Sequence, residues 1–466
     1  MTMNPPVNPT KPGHTSISRR RFMGQAASTF AFTVVPSHVL AGRGHASPNE
    51  KLNIAAVGAG GMGGSNLNKC ATENIVALCD VDEERAAGSF KKYAGASRYS
   101  DFRKMLDKED KNIDAVIVAT PDHTHAVVAM RAIRMGKHAF VQKPLAHTLK
   151  EVRSLTEAAR EAGVQTQMGN QGHSSDSIRD LYEWIHDGAI GPIREVYTWS
   201  DRPVGGQPWS DFPIMARPTE TPPVPKGLDW DLWLGPVAYR PYHPIYCPTT
   251  WRGWVDFGTG SLGDMGCHIL DPAFWALKLG HPTSVQASTT HYRPKFSSET
   301  YPRAAIVRYQ FPARGTMPPV KLTWFDGRIK PPIPEMWDPG RSLGTNGAIF
   351  VGEKGVLSHG SHGAGGLRIS PKSLNQSYRR PLKIIPRVKD GSGGHEQDWI
   401  RACKDGKPAS SSFDYGGALT EMVLLGVLAE RLPDQKLDWD GKAMRFTNNE
   451  EANGLLHIDY RAGWHL

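Results

Sequence analysis

Leu52-Asn53-Ile54-Ala55-Ala56-Val57-Gly58-Ala59-Gly60-Gly61-Met62-Gly63 decides how the rest of the chain is read. An apolar strand runs into Gly58-x-Gly60-x-x-Gly63, and each glycine has its own physical task. Gly58 permits a tight turn, Gly60 lets a pyrophosphate approach the backbone, and Gly63 lets the next helix pack close to the sheet. Gly61 and Met62 complete the loop. The helix points its free N–H groups and partial positive charge at the phosphates. The next apolar run, residues 75–79, is closed by Asp80. A carboxylate there can accept from both hydroxyls of an adenosine ribose and repels a 2′-phosphate, so NAD is favoured over NADP. Glycine loops are common, but strand, triplet and acid in register specify a dinucleotide site.

Outward from this loop the chain alternates strand and helix. Strands are predicted at 52–57, 75–79, 113–119, 138–141 and 164–168. Helices are predicted at 61–70, 82–94, 123–135 and 148–161, with a short one near Asp101–Leu106. This rhythm makes a parallel, doubly wound α/β sheet over residues 50–170. Beyond it the texture changes. A helix is predicted at 175–187 and a strand at 193–200, and residues 201–260 are rich in Pro, Gly and Trp. Such a stretch is too long and aromatic for a linker and reads as ordered loops over a cleft. A helix at 263–279 precedes strands at 284–292, 303–311, 319–325 and 348–352, short strands at 355–357 and 367–369, and a long helix at 415–431. Consecutive strands without helices between them make residues 171–466 an α+β domain with an open, mainly antiparallel sheet.

The chain has 466 residues, 39% of them hydrophobic, enough for two domains with real cores. Residues 1–46 hold Lys11, Arg19, Arg20, Arg21 and Arg43 and no acid, leaving +4 of the formal +9 for the remainder. That balance carries no basic run or aromatic ladder for nucleic acid. Ser18-Arg19-Arg20-Arg21-Phe22-Met23, the weakly apolar stretch 26–35 and small residues near Ala41 or Ala46 read as a twin-arginine signal over 1–46. Passage through the twin-arginine machinery implies a periplasmic protein, folded around its cofactor before export. The five cysteines are scattered without CxxC, which indicates neither a disulfide framework nor a zinc module.

Three further stretches carry chemistry. Val141-Gln142-Lys143-Pro144 ends the predicted fourth strand, where ligands of a doubly wound domain lie, so Lys143 faces the nicotinamide end of the cofactor and can hydrogen-bond a substrate hydroxyl. Asp264 and His268 are four residues apart, so a helix points both into one space, and a carboxylate beside a histidine suits proton transfer. The pair could also ligate a metal, but no further Cys or His stands at module-like spacing. Thr120-Pro121-Asp122-His123-Thr124-His125 follows the third strand. It reads as a junction contacting the dinucleotide through Thr120, Pro121 and His125, with Asp122 as the helix cap. Asn170 and His173, where the fifth strand leads into the second domain, are further cleft candidates. So are Tyr246, Trp251 and Arg252 in the aromatic insertion, since flat rings with polar edges suit the faces of a sugar.

The glycine loop, the T-P-x-x-x-H segment, the K-P after the fourth strand and G-D-x-G-x-H-x-x-D together resemble the glucose–fructose oxidoreductase / inositol dehydrogenase (Gfo/Idh/MocA) family from residue 50 onward. The resemblance implies a Rossmann domain, catalytic roles for Lys143, Asp264 and His268, and a second domain that also assembles dimers or tetramers. Gln142 stands where the family pattern carries Glu, which removes a charge beside Lys143. The implied activity is hydride transfer between a tightly held NAD and a sugar, cyclitol or glycoside hydroxyl. An alternative within the same fold is an NAD-dependent glycosidase cycling through oxidation, elimination, hydration and reduction. It needs one more acid or base, for which His173 is the candidate. A non-catalytic sugar-binding protein would not need Lys143, Asp264 and His268 together.

Overall fold

The structure, a computed structural model, describes residues 50–203, 216–290 and 299–466. The twin-arginine segment, Trp209 and the end of the strand expected at 284–292 lie outside the described residues. Residues 52–466 form one compact unit.

Six parallel strands build the first sheet: β1 (Asn53–Val57), β2 (Asn74–Cys79), β3 (Ser97–Tyr99), β4 (Ala115–Val118), β5 (His138–Val141) and β6 (Thr166–Met168), in the order β3-β2-β1-β4-β5-β6. β1, β4 and β5 are short apolar runs, as strands buried on both faces must be. β3 was not expected. It is three residues long and mostly exposed, so it leaves no apolar signature. The order reverses between β1 and β4, which opens a crevice at their carboxyl ends, beside the glycine loop and Thr120. The helix Leu149–Ala162 shows how local sequence fixes an element. Thr148 and Glu151 form a reciprocal capping box, and Gly163 ends the helix at φ +64°.

The second sheet has nine strands: β7 (Ile193–Trp199), β8 (Ser284–Thr289), β9 (Ala305–Phe311), β10 (Val320–Phe325), β11 (Gly347–Gly352), β12 (Val356–His359), β13 (Arg368–Ser370), β14 (Lys436–Asp440) and β15 (Arg445–Phe446). Their order is β13-β12-β11-β7-β10-β9-β8-β14-β15, antiparallel throughout except for the parallel β7–β10 pair. The expected helix 263–279 is two helices, Gly260–Ile269 and Asp271–Ala276, because Pro272 cannot donate within a continuous helix and instead sits in the first turn of the second. The helix Phe413–Arg431 is buried nearly all round and packs on both Leu149–Ala162 and Gly260–Ile269. A helix at His395–Asp405, unforeseen in the sequence, returns to the first sheet, where Trp399 meets Phe140 edge-on at 5.6 Å.

Candidate active site

The glycine loop has the geometry its sequence demands. Gly58 lies at φ +81°, and a Cβ there would stand 2.6 Å from the Ala119 carbonyl oxygen. A Cβ on Gly63 would overlap the Gly58 carbonyl. Gly60 is extended, and its bare face admits the Arg85 carbonyl, 2.7 Å from where a Cβ would be. Asp80 ties the loop down. Its Oδ2 accepts from Ala59 N (2.8 Å) and Gly60 N (3.1 Å), and its Oδ1 accepts from Asp82 N (3.0 Å). Burial raises its pKa, against these three bonds. The carboxylate has four acceptor positions, so one remains for a ribose hydroxyl.

From this loop a cavity of about 460 Å³ runs past Gly58, Gly60, Met62, Asp80, Thr120, Pro121, His125 and Gln142 to Lys143, Asp264 and His268. At its far end Lys143 Nζ donates to Asp264 O (2.7 Å) and Asp264 Oδ1 (2.9 Å). Arg252 Nε reaches the same Oδ1 at 3.3 Å, and its guanidinium lies 4.2 Å over the Trp251 ring. Burial alone would raise the Asp264 pKa, but the charges of Lys143 and Arg252 outweigh it and hold the carboxyl well below the usual range. His268 is 5% exposed, and its Nδ1 is buried with no protein partner. Burial, reinforced by His362 and Lys143, pushes its pKa far down, so the ring is neutral and can accept a proton.

The TPDHTH segment works differently from its sequence reading. His125 lines the cavity, yet Nδ1 lies 2.8 Å from the Pro144 carbonyl oxygen and Nε2 2.8 Å from that of Thr120. It clamps the turn after β4 to the Lys143-Pro144 turn, with no ring nitrogen left for a ligand. His123 likewise sits between the Trp233 and Phe257 carbonyls, and among the described residues no group of His, Cys, Asp and Glu is arranged to hold a metal. Asp122 is not the cap. Pro121 occupies that position, and Asp122 accepts from Thr259 Oγ1 at 2.6 Å. Gln142 Nε2 donates to Asn66 Oδ1 (2.9 Å), and Asn66 Nδ2 donates to Glu396 Oε1 (2.7 Å). The carboxylate missing at 142 is thus matched by one on the distant helix His395–Asp405.

Three expected cleft residues are elsewhere. His173 is 2% exposed, with Nδ1 2.9 Å from Asp271 Oδ1, and Tyr415 also donates to that carboxylate. Asn170 is fully buried, bonded to Asp271 and Ser411. None of Asn170, His173 and Asp271 lines the cavity. Tyr246 is core as well, packed on Trp254 (4.8 Å) and Phe257 (5.4 Å). Trp251 and Arg252 do line the cavity as expected, joined by Trp233. The sequence reading missed His362, in the loop between β12 and β13. Its ring packs on His268 with centroids 4.0 Å apart, and Nδ1 is 2.8 Å from Ser361 Oγ. The run Ser358-His-Gly-Ser-His-Gly363, directly after a predicted strand, was the available signal.

A doubly wound sheet with a glycine-loop crevice, joined to a mixed sheet that closes a Lys–Asp–His end, defines a dinucleotide-dependent oxidoreductase architecture. Residues 52–170 match the Gfo/Idh/MocA oxidoreductase family's NAD-binding Rossmann fold and residues 182–301 its C-terminal alpha/beta domain, together just over half the chain. The chain belongs to this family. It is 24% identical to levoglucosan dehydrogenase of Pseudarthrobacter phenanthrenivorans, over 53% of this chain and 56% of that protein. It is 32% identical to inositol 2-dehydrogenase 2 of Saccharopolyspora erythraea, over 30% of this chain and 42% of that one. The chain thus spans about half the length of the curated relatives it matches. Among solved structures, the WlbA dehydrogenase of Bordetella pertussis, determined with NADH and UDP-GlcNAcA, shares the fold at TM-score 0.57 and 16% identity, covering 84% of this chain and 98% of that one.

Proposed function

We propose that this chain is an exported, NAD-dependent oxidoreductase that oxidises a secondary hydroxyl of a sugar, cyclitol or glycoside. The observation that carries this reading is the convergence of Lys143, Asp264 and His268 at the end of the cavity remote from the glycine loop. Bound NAD would supply the hydride acceptor, held by Gly58, Gly60, Gly63 and the free acceptor position of Asp80. The rest is the work of this chain's own groups. Lys143, anchored on Asp264, donates a hydrogen bond to the substrate oxygen. His268, neutral and lining the cavity, takes the hydroxyl proton as the carbonyl forms. Trp233 and Trp251 contribute apolar wall for the sugar. The twin-arginine motif at Ser18–Met23 supports a periplasmic site of action, tight retention of NAD and, by family analogy, assembly as a dimer or tetramer.

A second reading is favoured by one observation. His362 gives the cavity an additional acid or base, which a redox-cycling glycosidase needs to eliminate the aglycone and which His173 cannot supply. Both readings are tested on purified protein by denaturing it to detect released NAD. Glycosides are then supplied while nicotinamide absorbance and aglycone release are followed together. NADH in step with an intact glycoside supports the dehydrogenase, and aglycone release without net NADH supports the cycle. Neither signal, with Lys143→Ala indistinguishable from the parent, removes the enzymatic reading.

A further inference from the structure

Charge is unevenly distributed at the substrate end of the cavity. Lys143, Arg202 and Arg252 line it around one ionised carboxylate, Asp264. The other acids in the wall are engaged elsewhere. Asp82 caps the helix Glu83–Lys92, Asp101 pairs with Arg103 at 2.9 Å, and Asp122 receives Thr259. Lys143 and Arg252 both turn to Asp264 Oδ1. Arg202 is left over. Its side chain is only 25% exposed, and among the described residues its single ion pair, to Asp201, is 3.9 Å long and its guanidinium makes no hydrogen bond. Its backbone is fixed on both sides, with Arg202 N donating to Ser200 Oγ (3.2 Å) and Gly327 N donating to Arg202 O (2.7 Å). A fixed, three-quarters-buried fork of five donors is costly to leave unmatched.

We infer that the substrate carries its own negative charge, a carboxylate on the sugar as in a uronate, and that Arg202 receives it. This rests on the oxidoreductase reading and names its substrate class. A planar guanidinium matches a carboxylate through two parallel N–H···O bonds, which a hydroxyl cannot reproduce. With Lys143 and Arg252 sharing Asp264 and only the distant Asp201 opposite Arg202, one net positive charge remains, which calls for a monoanion rather than a phosphate dianion. The positive field is felt by its neighbours. Arg202 adds to Lys143 and Arg252 in holding Asp264 ionised, and with Lys143 it reinforces the effect of burial in lowering the pKa of His362. The carboxylate takes no part in bond making. It orients the ring so that one hydroxyl meets Lys143 and His268.

The test uses the full chain loaded with NAD and matched probes: D-glucuronate, D-glucuronamide, D-glucose and D-glucose 6-phosphate, with the galacto series in parallel. NADH formation gives kcat/KM, and the shift in melting temperature gives binding without turnover. The acid is expected to exceed its neutral amide by roughly 10- to 100-fold, as a charge-assisted pair provides. Arg202→Gln should erase that ratio and Arg202→Lys should keep part of it. Equal use of acid and amide, a ratio unchanged in Arg202→Gln, or a preference for the phosphate overturns the inference while leaving the oxidoreductase reading intact. Acid-selective binding that depends on Arg202, without NADH, supports the inference and counts against hydride transfer. No response to any probe in either readout overturns both.

Discussion

Asp264 is the residue on which the candidate chemistry turns, because it holds two cations at once. Its Oδ1 takes Lys143 at 2.9 Å and Arg252 at 3.3 Å, while its own carbonyl takes Lys143 again at 2.7 Å. Asp264→Asn keeps the carbonyl contact but removes the charge, so Lys143 stays near while its direction loosens. A group positioned for proton management contributes about 10²- to 10⁴-fold, and the low end is expected here because one anchor survives. kcat/KM should fall by about 10²-fold with no loss of NAD binding, which a fluorescence titration with NADH checks. The pH profile separates the roles. Asp264 is ionised throughout the working range, so it contributes no acid limb. His268 has a pKa driven far below the usual histidine value by burial, by His362 and by Lys143. The acid limb of kcat/KM should therefore lie well below pH 6.5, and a limb at or above 6.5 would contradict this assignment.

The helix His395–Asp405 places a carboxylate under the cofactor crevice from more than 250 residues away. Gln142, Asn66 and Glu396 form a chain in which each amide donates onward, and Lys69 closes it on Glu396 Oε2 at 3.3 Å. Restoring the family's Glu at position 142 would set a carboxylate against Asn66 Oδ1, and turning the amide over would set that oxygen against Glu396. Gln142→Glu should thus cost about 1–3 kcal/mol, the price of a buried polar group without its partner, read as a lower urea midpoint at pH 7. Glu396→Gln in the same chain should recover much of the loss, whereas additive losses would show that the two positions are not coupled. This chain also marks where sequence reading stops. β1, Gly58, Gly60, Gly63 and Asp80 lie within thirty residues and their order alone carries the geometry. Lys143, Asp264 and His268 were legible because strand ends and helical spacing are local rules. His173 was misplaced because the partners that hold it in the core, Asp271 and Tyr415, come from segments distant in sequence. Glu396 arrives through a contact between segments far apart in sequence, for which no local pattern exists, and His362 had only its place in the run after a short strand to mark it.

The protein's stability against pH is set by buried groups far from one another that pull in opposite directions. His123, His359 and His395 are buried, and burial lowers their pKa values to about 3, about 4 and about 4, with His268 also driven down. Each stays neutral in the fold while the unfolded chain takes up a proton below about pH 6.5. Folding stability is therefore lost as pH falls from 6.5 toward those values, by up to about 1.4 kcal/mol per histidine per pH unit. Asp326 and Glu430 do the reverse. Asp326 accepts from Ala305 N (2.6 Å) and Trp324 Nε1 (3.0 Å), whereas Glu430 Oε1 is buried without a partner. Burial raises both pKa values, and the Asp326 charge raises that of Glu430 further. They keep protons in the fold that the unfolded chain releases above about pH 4, so stability is lost as pH rises from there. Between pH 4 and 6.5 the buried histidines outnumber the acids held protonated, and the net slope is upward. Above 6.5 the histidines add no further slope, and the carboxyl pair pulls downward until it ionises. Glu430→Gln removes one of the pair while keeping its shape. Unfolding by urea at intervals from pH 4 to pH 8 should show the variant equal to the parent at pH 4 and increasingly more stable toward neutrality. A difference constant with pH would mean that Glu430 is not held protonated in the fold.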